Sequence, residues 1–472
     1  MRTITLFLFL VVIVLVVVSS CKKSPDAAAT PYEDPTTTTA CLACPDWAAN
    51  ANIYEVNIRQ YTPEGTFNAF ATHLPRLKQM GVDILWLMPV FPISEAKRKG
   101  TLGSYYAVAD YTAVNPNYGT LEDFKSLVDT IHQLGMKVIL DWVPNHTGWD
   151  HPWITQHPDY YTQDKSGNVV DPIDPKTGKS WGWTDVADLN YDNKAMRQAM
   201  TEAFLYWLKE VGVDGYRCDV AGEVPDDYWQ QAVPVLRHAN PALFMLAEAE
   251  HAPHRNSDNF AMSYGWSFHH LMNEIAAGKA GANDIMEWLK SDRKTFTKGY
   301  HMHFITNHDE NSWNGTEYER MGDAVDALAV LAFTFDGMPL IYSGQESAFN
   351  KRLAFFEKDT ISWGDYEKAP FYTTLLDLKH RNKAIWNGPA GGKLQRLPSS
   401  QDKSVFAYYR DKDGQRVVVV LNLSNKPKSV SLDATPVAGD YTDLFAQKSV
   451  KLASSTQSFE LKAWEYLVLE LN

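Results

Sequence analysis

The sequence predicts an α/β fold: a closed (β/α)8 barrel with a small subdomain inserted after the third strand and an antiparallel β domain at its C-terminal end. Three observations predict it. Helical spacing and short buried-strand runs alternate from residue 65 to about residue 390. Several apolar runs finish in a carboxylate, at Asp141, Asp219, Glu248 and Asp309. After residue 392 the helical spacing stops and short alternating strands take over.

The repeating unit is legible residue by residue. Phe67, Phe70, Leu74, Leu77 and Met80 fall at helical spacing, Gly81 ends the helix, and 82–89 is an apolar strand. Thr120 and Asp123 form a capping box ahead of Leu121, Phe124, Leu127, Val128 and Ile131, with Gly135 as the stop and 136–140 as the next strand. Ala199, Ala203, Phe204, Trp207 and Val211 repeat the pattern before the strand 212–220, which reads G-V-D-G-Y-R-C-D-V. There Arg217 and Asp219 stand two residues apart, so both side chains leave one face of the strand. An acid and a base inside so apolar a run need partners or a purpose. Parallel strands that each end in an acid gather those acids on one rim, the rim on which such barrels carry their sites. The run 304–309 is read in the same way, as a strand ending in Asp309. A doubly wound open sheet is the competing architecture, but no Gly-rich phosphate turn follows a strand, and with it goes the case for an organic cofactor.

One connection breaks the rhythm. A stretch rich in Trp, Asp, Pro and Gly, about 147–192, reads as a subdomain laid over the rim. Trp142, Trp149, Trp153, Trp181 and Trp183 crowd into this region, where core packing and a stacking surface are both open to them. In the tail, 405–410, 416–423, 428–432 and 464–469 read as strands, with 411–414 as a hairpin turn. The domain plan is therefore a barrel over 46–390 and a C-terminal β-sandwich over 391–472.

The chain opens with an apolar run and small residues, Val18-Ser19-Ser20, before Cys21. Residues 1–20 read as an export signal, too short to span a membrane comfortably. The small residues before Cys21 resemble a lipobox, which implies lipidation of Cys21, a membrane anchor and an exported, cell-envelope location; an ordinary signal peptide is the alternative. Residues 21–45 then form a Pro-, Ala- and Thr-rich tether. Cys41 and Cys44 lack the second pair that a zinc site needs, and a local disulfide is open to them. A formal charge of −13 over 472 residues argues against nucleic acid as a partner.

The strand-end acids belong to longer motifs. Asp141-Trp-Val-Pro-Asn-His146, Gly215-Tyr-Arg-Cys-Asp219, Glu248 after its apolar run, and Asn307-His308-Asp309 resemble four successive signatures of the α-amylase superfamily, glycoside hydrolase family 13. The stretches 104–111, 187–190 and 337–346 resemble further family segments in the same order. The resemblance implies Asp219 as nucleophile, Glu248 as general acid/base and Asp309 as transition-state stabiliser. It implies that Arg217, His146 and His308 bind the substrate and that Tyr106 stacks beneath a sugar ring, a place its neighbour Tyr105 also fits. Asp141 reads as a structural partner of Arg217, and Glu250, two residues past Glu248, as a bystander. Many relatives bind calcium through residues matching Asn145 and Asp188 and through the carbonyl of a Lys-His pair; here that pair is replaced by Val220-Ala-Gly-Glu223. The implied substrate is an α-1,4-linked glucan or malto-oligosaccharide, cleaved with retention. A glucanotransferase, an α-glucosidase and a cyclodextrin- or pullulan-cleaving enzyme share the same acids, and a non-catalytic glucan-binding lipoprotein is the reading from another class.

Overall fold

The computed structural model describes residues 41–174 and 177–472. Residues 1–20 and Cys21, with most of the tether, lie outside the described residues. Eight parallel strands close into a barrel: β1 (Ile53–Val56), β2 (Ile84–Leu87), β3 (Lys137–Trp142), β4 (Gly215–Cys218), β5 (Phe244–Ala247), β6 (Met262–Tyr264), β7 (Tyr300–His303) and β8 (Gly337–Tyr342). They pair in sequence order around the ring, with β8 closing on β1. The strands are short and buried throughout except at Lys137.

Local chemistry explains the boundaries. The helix Leu121–Gln133 starts at the capping box, with Thr120 accepting from the Asp123 amide and the Asp123 carboxylate answering to the Thr120 amide. The helical run from Phe67 to Met80 is split into Phe67–Ala71 and Leu74–Met80, since Pro75 suits only a first turn; Gly81, at φ +102°, stops the second piece. Gly215 is required by a close approach: a Cβ there would stand 1.9 Å from the Phe244 carbonyl oxygen on β5.

The run 304–309 departs from its strand reading. Strand β7 stops at His303, and the chain from Phe304 to Asp309 continues as a buried loop turning into the segment Glu310–Asn314. Phe304 and Ile305 are buried and read as a continuation of β7, but no strand among the described residues pairs with them.

Inside the barrel, Ile53, Ile84, Trp86, Ile139, Phe244, Leu246, Met302 and Leu340 fill the core as layered side chains. The segment before β1 covers the N-terminal end of the strands. There Trp47 packs 5.5 Å from Phe244 and donates to the Ala242 carbonyl, and Cys41 and Cys44 are joined in a disulfide.

Between β3 and the helix Lys194–Tyr206 lies the insertion, held by an antiparallel ladder of His146–Gly148 against Val186–Asp188. The Trp cluster divides. Trp142 is core, Trp149 lies under the Lys97 ammonium, and Trp181 and Trp183 stack 5.9 Å apart with Trp181 exposed.

The C-terminal domain has a six-stranded antiparallel sheet packed on a two-stranded one, with a shared core that includes Val418, Val420, Val430, Leu432 and Leu461. Its first hairpin turns at Asp413 and Gly414, both at positive φ, as a two-residue turn requires. Arg410, buried on this sheet, donates to the carbonyls of Phe335 at 2.6 Å, Trp386 at 2.7 Å and Gly392 at 2.8 Å.

Candidate active site

The C-terminal ends of the strands open into a cavity of about 470 Å³. Tyr106, His146, Asp219, Glu248, His308 and Asp309 all line it. Arg217 lies just beneath, fully buried. Its Nη1 donates to Asp219 Oδ1 and to Asp141 Oδ1, each at 2.8 Å, and its Nε donates to the Tyr264 hydroxyl at 3.1 Å. Nη2 stands 3.0 Å from Glu248 Oε2 without hydrogen-bond alignment. Trp86, Tyr106 and Tyr264 surround the guanidinium with ring faces at 5.0, 5.7 and 5.4 Å.

One guanidinium thus serves three carboxylates. Burial pushes Glu248 up to about 8, the charges of Asp219 and Asp309 add to the rise, and Arg217 opposes it. Glu248 is therefore protonated at neutral pH while Asp219 beside it is ion-paired. Burial also raises Asp141 to about 7 against the pull of Arg217, and Asp141 Oδ2 accepts from Trp86 and from the Tyr106 hydroxyl at 3.1 Å each. Such a pair, one protonated acid and one ion-paired carboxylate lining the same cavity, can donate a proton and attack an electrophilic carbon in concert.

The residue after Asp219 is unusual. Val220 sits at φ +36°, a left-handed conformation that a β-branched side chain resists, and its amide donates to Glu248 Oε2 at 2.8 Å.

The histidines take different states. Burial opposes charge on His308, yet Asp309 and Glu55 carry it up to about 9. Its Nε2 lies 2.8 Å from the Tyr106 hydroxyl and 3.4 Å from Asp309, while Nδ1 meets Glu55. His146 is lowered by burial despite Asp219 and Asp185 nearby, which leaves a neutral ring facing the cavity. Tyr106 stacks on His308 and Phe355. Tyr105 is buried elsewhere beneath Arg59, so of the two tyrosines Tyr106 faces the cleft. Glu250 is outside the site, accepting from the Ser267 amide and hydroxyl.

Several wall residues escape sequence reasoning. Lys99 and Asp185 form a 2.8 Å ion pair at the mouth, and Trp313, Phe355 and Phe356 supply aromatic walls beside Trp183, the member of the Trp cluster that faces the cavity. Glu55, fully buried on β1 behind His308, escapes as well, although it is an acid in a buried run as Asp141 is.

The two donors implied for calcium flank the inserted ladder, where His146 pairs with Asp188 and the Asn145 carbonyl accepts from the Leu189 amide. Burial raises Asp188 to about 6, with Asp171 adding to the rise and a Thr162 hydrogen bond opposing it. Calcium takes about six to eight oxygens. Two side chains fall short of that number, and among the described residues no chelating group of three His, Cys, Asp or Glu includes Asp188. The side chains present do not make the cage by themselves.

Comparison with known proteins agrees with this geometry. Residues 33–390 match the family model of the α-amylase catalytic domain, and residues 394–468 match that of the maltogenic amylase C-terminal domain. α-Amylase 3 of Dictyoglomus thermophilum is 26% identical over 443 residues, covering 80% of this chain and 85% of that protein. Among solved structures, a maltogenic α-amylase of Thermotoga neapolitana aligns with a TM-score of 0.80 at 27% identity, covering 89% of this chain and 98% of that one. An α-amylase of Lactobacillus plantarum gives 0.79 at 28% identity, covering 90% and 100%. The chain belongs to the α-amylase family of glycoside hydrolases.

Proposed function

We propose that the protein hydrolyses α-1,4-glucosidic bonds of starch-type glucans with retention, through a covalent glycosyl-enzyme on Asp219. The observation that carries this reading is the shared guanidinium: Arg217 is ion-paired to Asp219 while Glu248, 3.0 Å from its other arm, has its carboxyl raised to about 8. In the first step Asp219 attacks the anomeric carbon and the C1–O bond breaks. The leaving oxygen takes the Glu248 proton. In the second step Glu248, now ionised, accepts a proton from water as the water displaces Asp219. Asp309, with charged His308 at its side, faces the carbon that becomes positive in each transition state. Tyr106 offers a ring face beneath the sugar and His146 and His308 hold its hydroxyls, while Arg217, fully buried beneath the cavity, holds the acids and not the sugar the sequence expectation gave it.

Several relatives carry the name α-amylase, others maltogenic α-amylase or cyclomaltodextrinase. Chromatography of products from starch, pullulan, cyclodextrins and maltose separates these specificities and glucan transfer. The mechanism is tested by intact-mass spectrometry of Glu248→Gln with an activated α-glucoside. The expected result is protein plus one sugar, mapped to Asp219, because an activated leaving group departs without the acid but deglycosylation lacks its base. An adduct on any other residue removes Asp219 from the role.

The location is a second proposal. Val18-Ser19-Ser20-Cys21 supports an exported protein anchored by lipid on Cys21. Detergent partitioning of the wild type, lost or left unprocessed in Cys21→Ala, is the expected result; a soluble wild type with another N-terminus overturns it.

A further inference from the structure

A second set of polar side chains converges behind the two acid-bearing strand ends. Asp226 opens the helix Asp226–Ala239, on the connection that leaves β4 after Asp219. His251 and His254 lie on the connection that leaves β5 after Glu248. The His251 Nε2 atom is 3.0 Å from each oxygen of Asp226, and His254 Nε2 is 3.4 Å from Oδ1. One ligand atom from each residue falls within 4.8 Å of the other two. Ligands held at about 2.0–2.1 Å by a tetrahedral zinc ion stand roughly 3.3 Å from one another. Asp226 already stands at about that spacing from both histidines, and the histidine nitrogens lie within 4.8 Å of each other.

His254 supplies an independent observation. It is 1% exposed, wedged against Trp229 and Phe260, and neither of its ring nitrogens has a hydrogen-bond partner. A buried imidazole left this way is costly unless something else satisfies it. A proton shared by His251 and Asp226 satisfies those two and leaves His254 as it is. A metal ion satisfies all three. His251 and Asp226 keep part of their side chains in solvent, which gives an ion a path in.

We propose that Asp226, His251 and His254 form a binding site for a divalent transition ion of the zinc type, with water in the fourth position. Two imidazoles with one carboxylate suit zinc and ill suit calcium, which prefers oxygen. The ion would join the connection after β4 to the connection after β5, and so fix the two segments that follow Asp219 and Glu248.

The test uses the full chain, stripped with chelator, dialysed and titrated with zinc chloride by calorimetry and thermal unfolding. One equivalent is expected to bind, and a hundredfold excess over Kd to raise Tm by about 3 °C. His251→Ala removes a half-exposed ligand without opening the core, and His254→Phe fills the apolar slot without a nitrogen. Each is expected to weaken zinc binding at least tenfold and to abolish the Tm rise, while Glu248→Gln binds zinc as the wild type does. Failure of the wild type to bind zinc, or undiminished binding in both His variants, overturns the site. Loss of binding in Glu248→Gln moves the ion to the cavity acids and overturns it equally.

Discussion

The amide of Val220 donates to Glu248 Oε2 at 2.8 Å, from a backbone that a valine adopts only under strain. This bond ties the residue after Asp219 to the neighbouring acid. A left-handed β-branched residue costs about 1–3 kcal/mol. Glycine relieves that and adds about 0.4–1 kcal/mol of chain entropy to the unfolded state. Val220→Gly is therefore expected to raise the urea midpoint while lowering kcat, because the looser amide no longer fixes Glu248. A variant less stable than wild type refutes the strain.

Glu248 should govern the alkaline side of the pH–rate profile. Its carboxyl, raised to about 8 chiefly by burial, must be protonated to act as acid. For the free enzyme kcat/KM is expected to fall as pH rises through about 8. With an activated substrate that needs no acid for departure, the fall should vanish from the glycosylation step, read by stopped-flow.

His308 gives stability its own pH dependence. Asp309 and Glu55 raise it to about 9 against burial, from an ordinary value of 6.5. A group raised on folding contributes stability that is complete below its unfolded pKa and is lost as pH climbs through its folded one. Between pH 6.5 and 9 the wild-type Tm should fall more steeply than that of His308→Gln. Parallel curves would refute the charge on His308.

Gly215→Ala probes the barrel wall. The added Cβ would meet the Phe244 carbonyl oxygen at 1.9 Å, and its next nearest atoms are Phe244 backbone too. Overpacking costs about 1–3 kcal/mol where side chains yield, and here only strands can move. A loss above about 3 kcal/mol in denaturant unfolding is expected; tolerance would mean that β4 and β5 separate easily.

The Asn145 and Asp188 pair falls short of a calcium cage, so calcium added to chelator-treated protein should leave Tm unchanged. A Tm restored by calcium would mean that carbonyls complete the cage.

Much of this site is legible in the sequence because a buried strand is apolar for its whole length, so a lone acid at its end stands out. That holds for Asp141, Asp219 and Glu248. The same rule misreads 304–309, since buried Phe304 and Ile305 follow β7 directly and look like its continuation. Glu55 hides because its run is four residues long and continues past it to Val56. Lys99, Asp185, Phe355 and Phe356 come from connections far apart in the chain, and no local pattern joins them. In the tail, Ser449–Leu452 and Thr456–Leu461 escape because they are mostly polar and largely exposed.

Arg410 bears on how the molecule comes apart. Its guanidinium, rooted in the C-terminal sheet, is the donor for the carbonyls of Phe335 and Trp386 on the barrel side. Removing the sheet takes away that donor and bares the apolar face of Leu331 and Phe335 that Phe406, Tyr408 and Val419 cover, and unfolding the barrel bares the same face of the sheet. Neither half has a comfortable existence alone. Melting should therefore be cooperative across the seam, as a single calorimetric peak, and a chain truncated after residue 390 should be recovered as aggregate, not as a smaller enzyme.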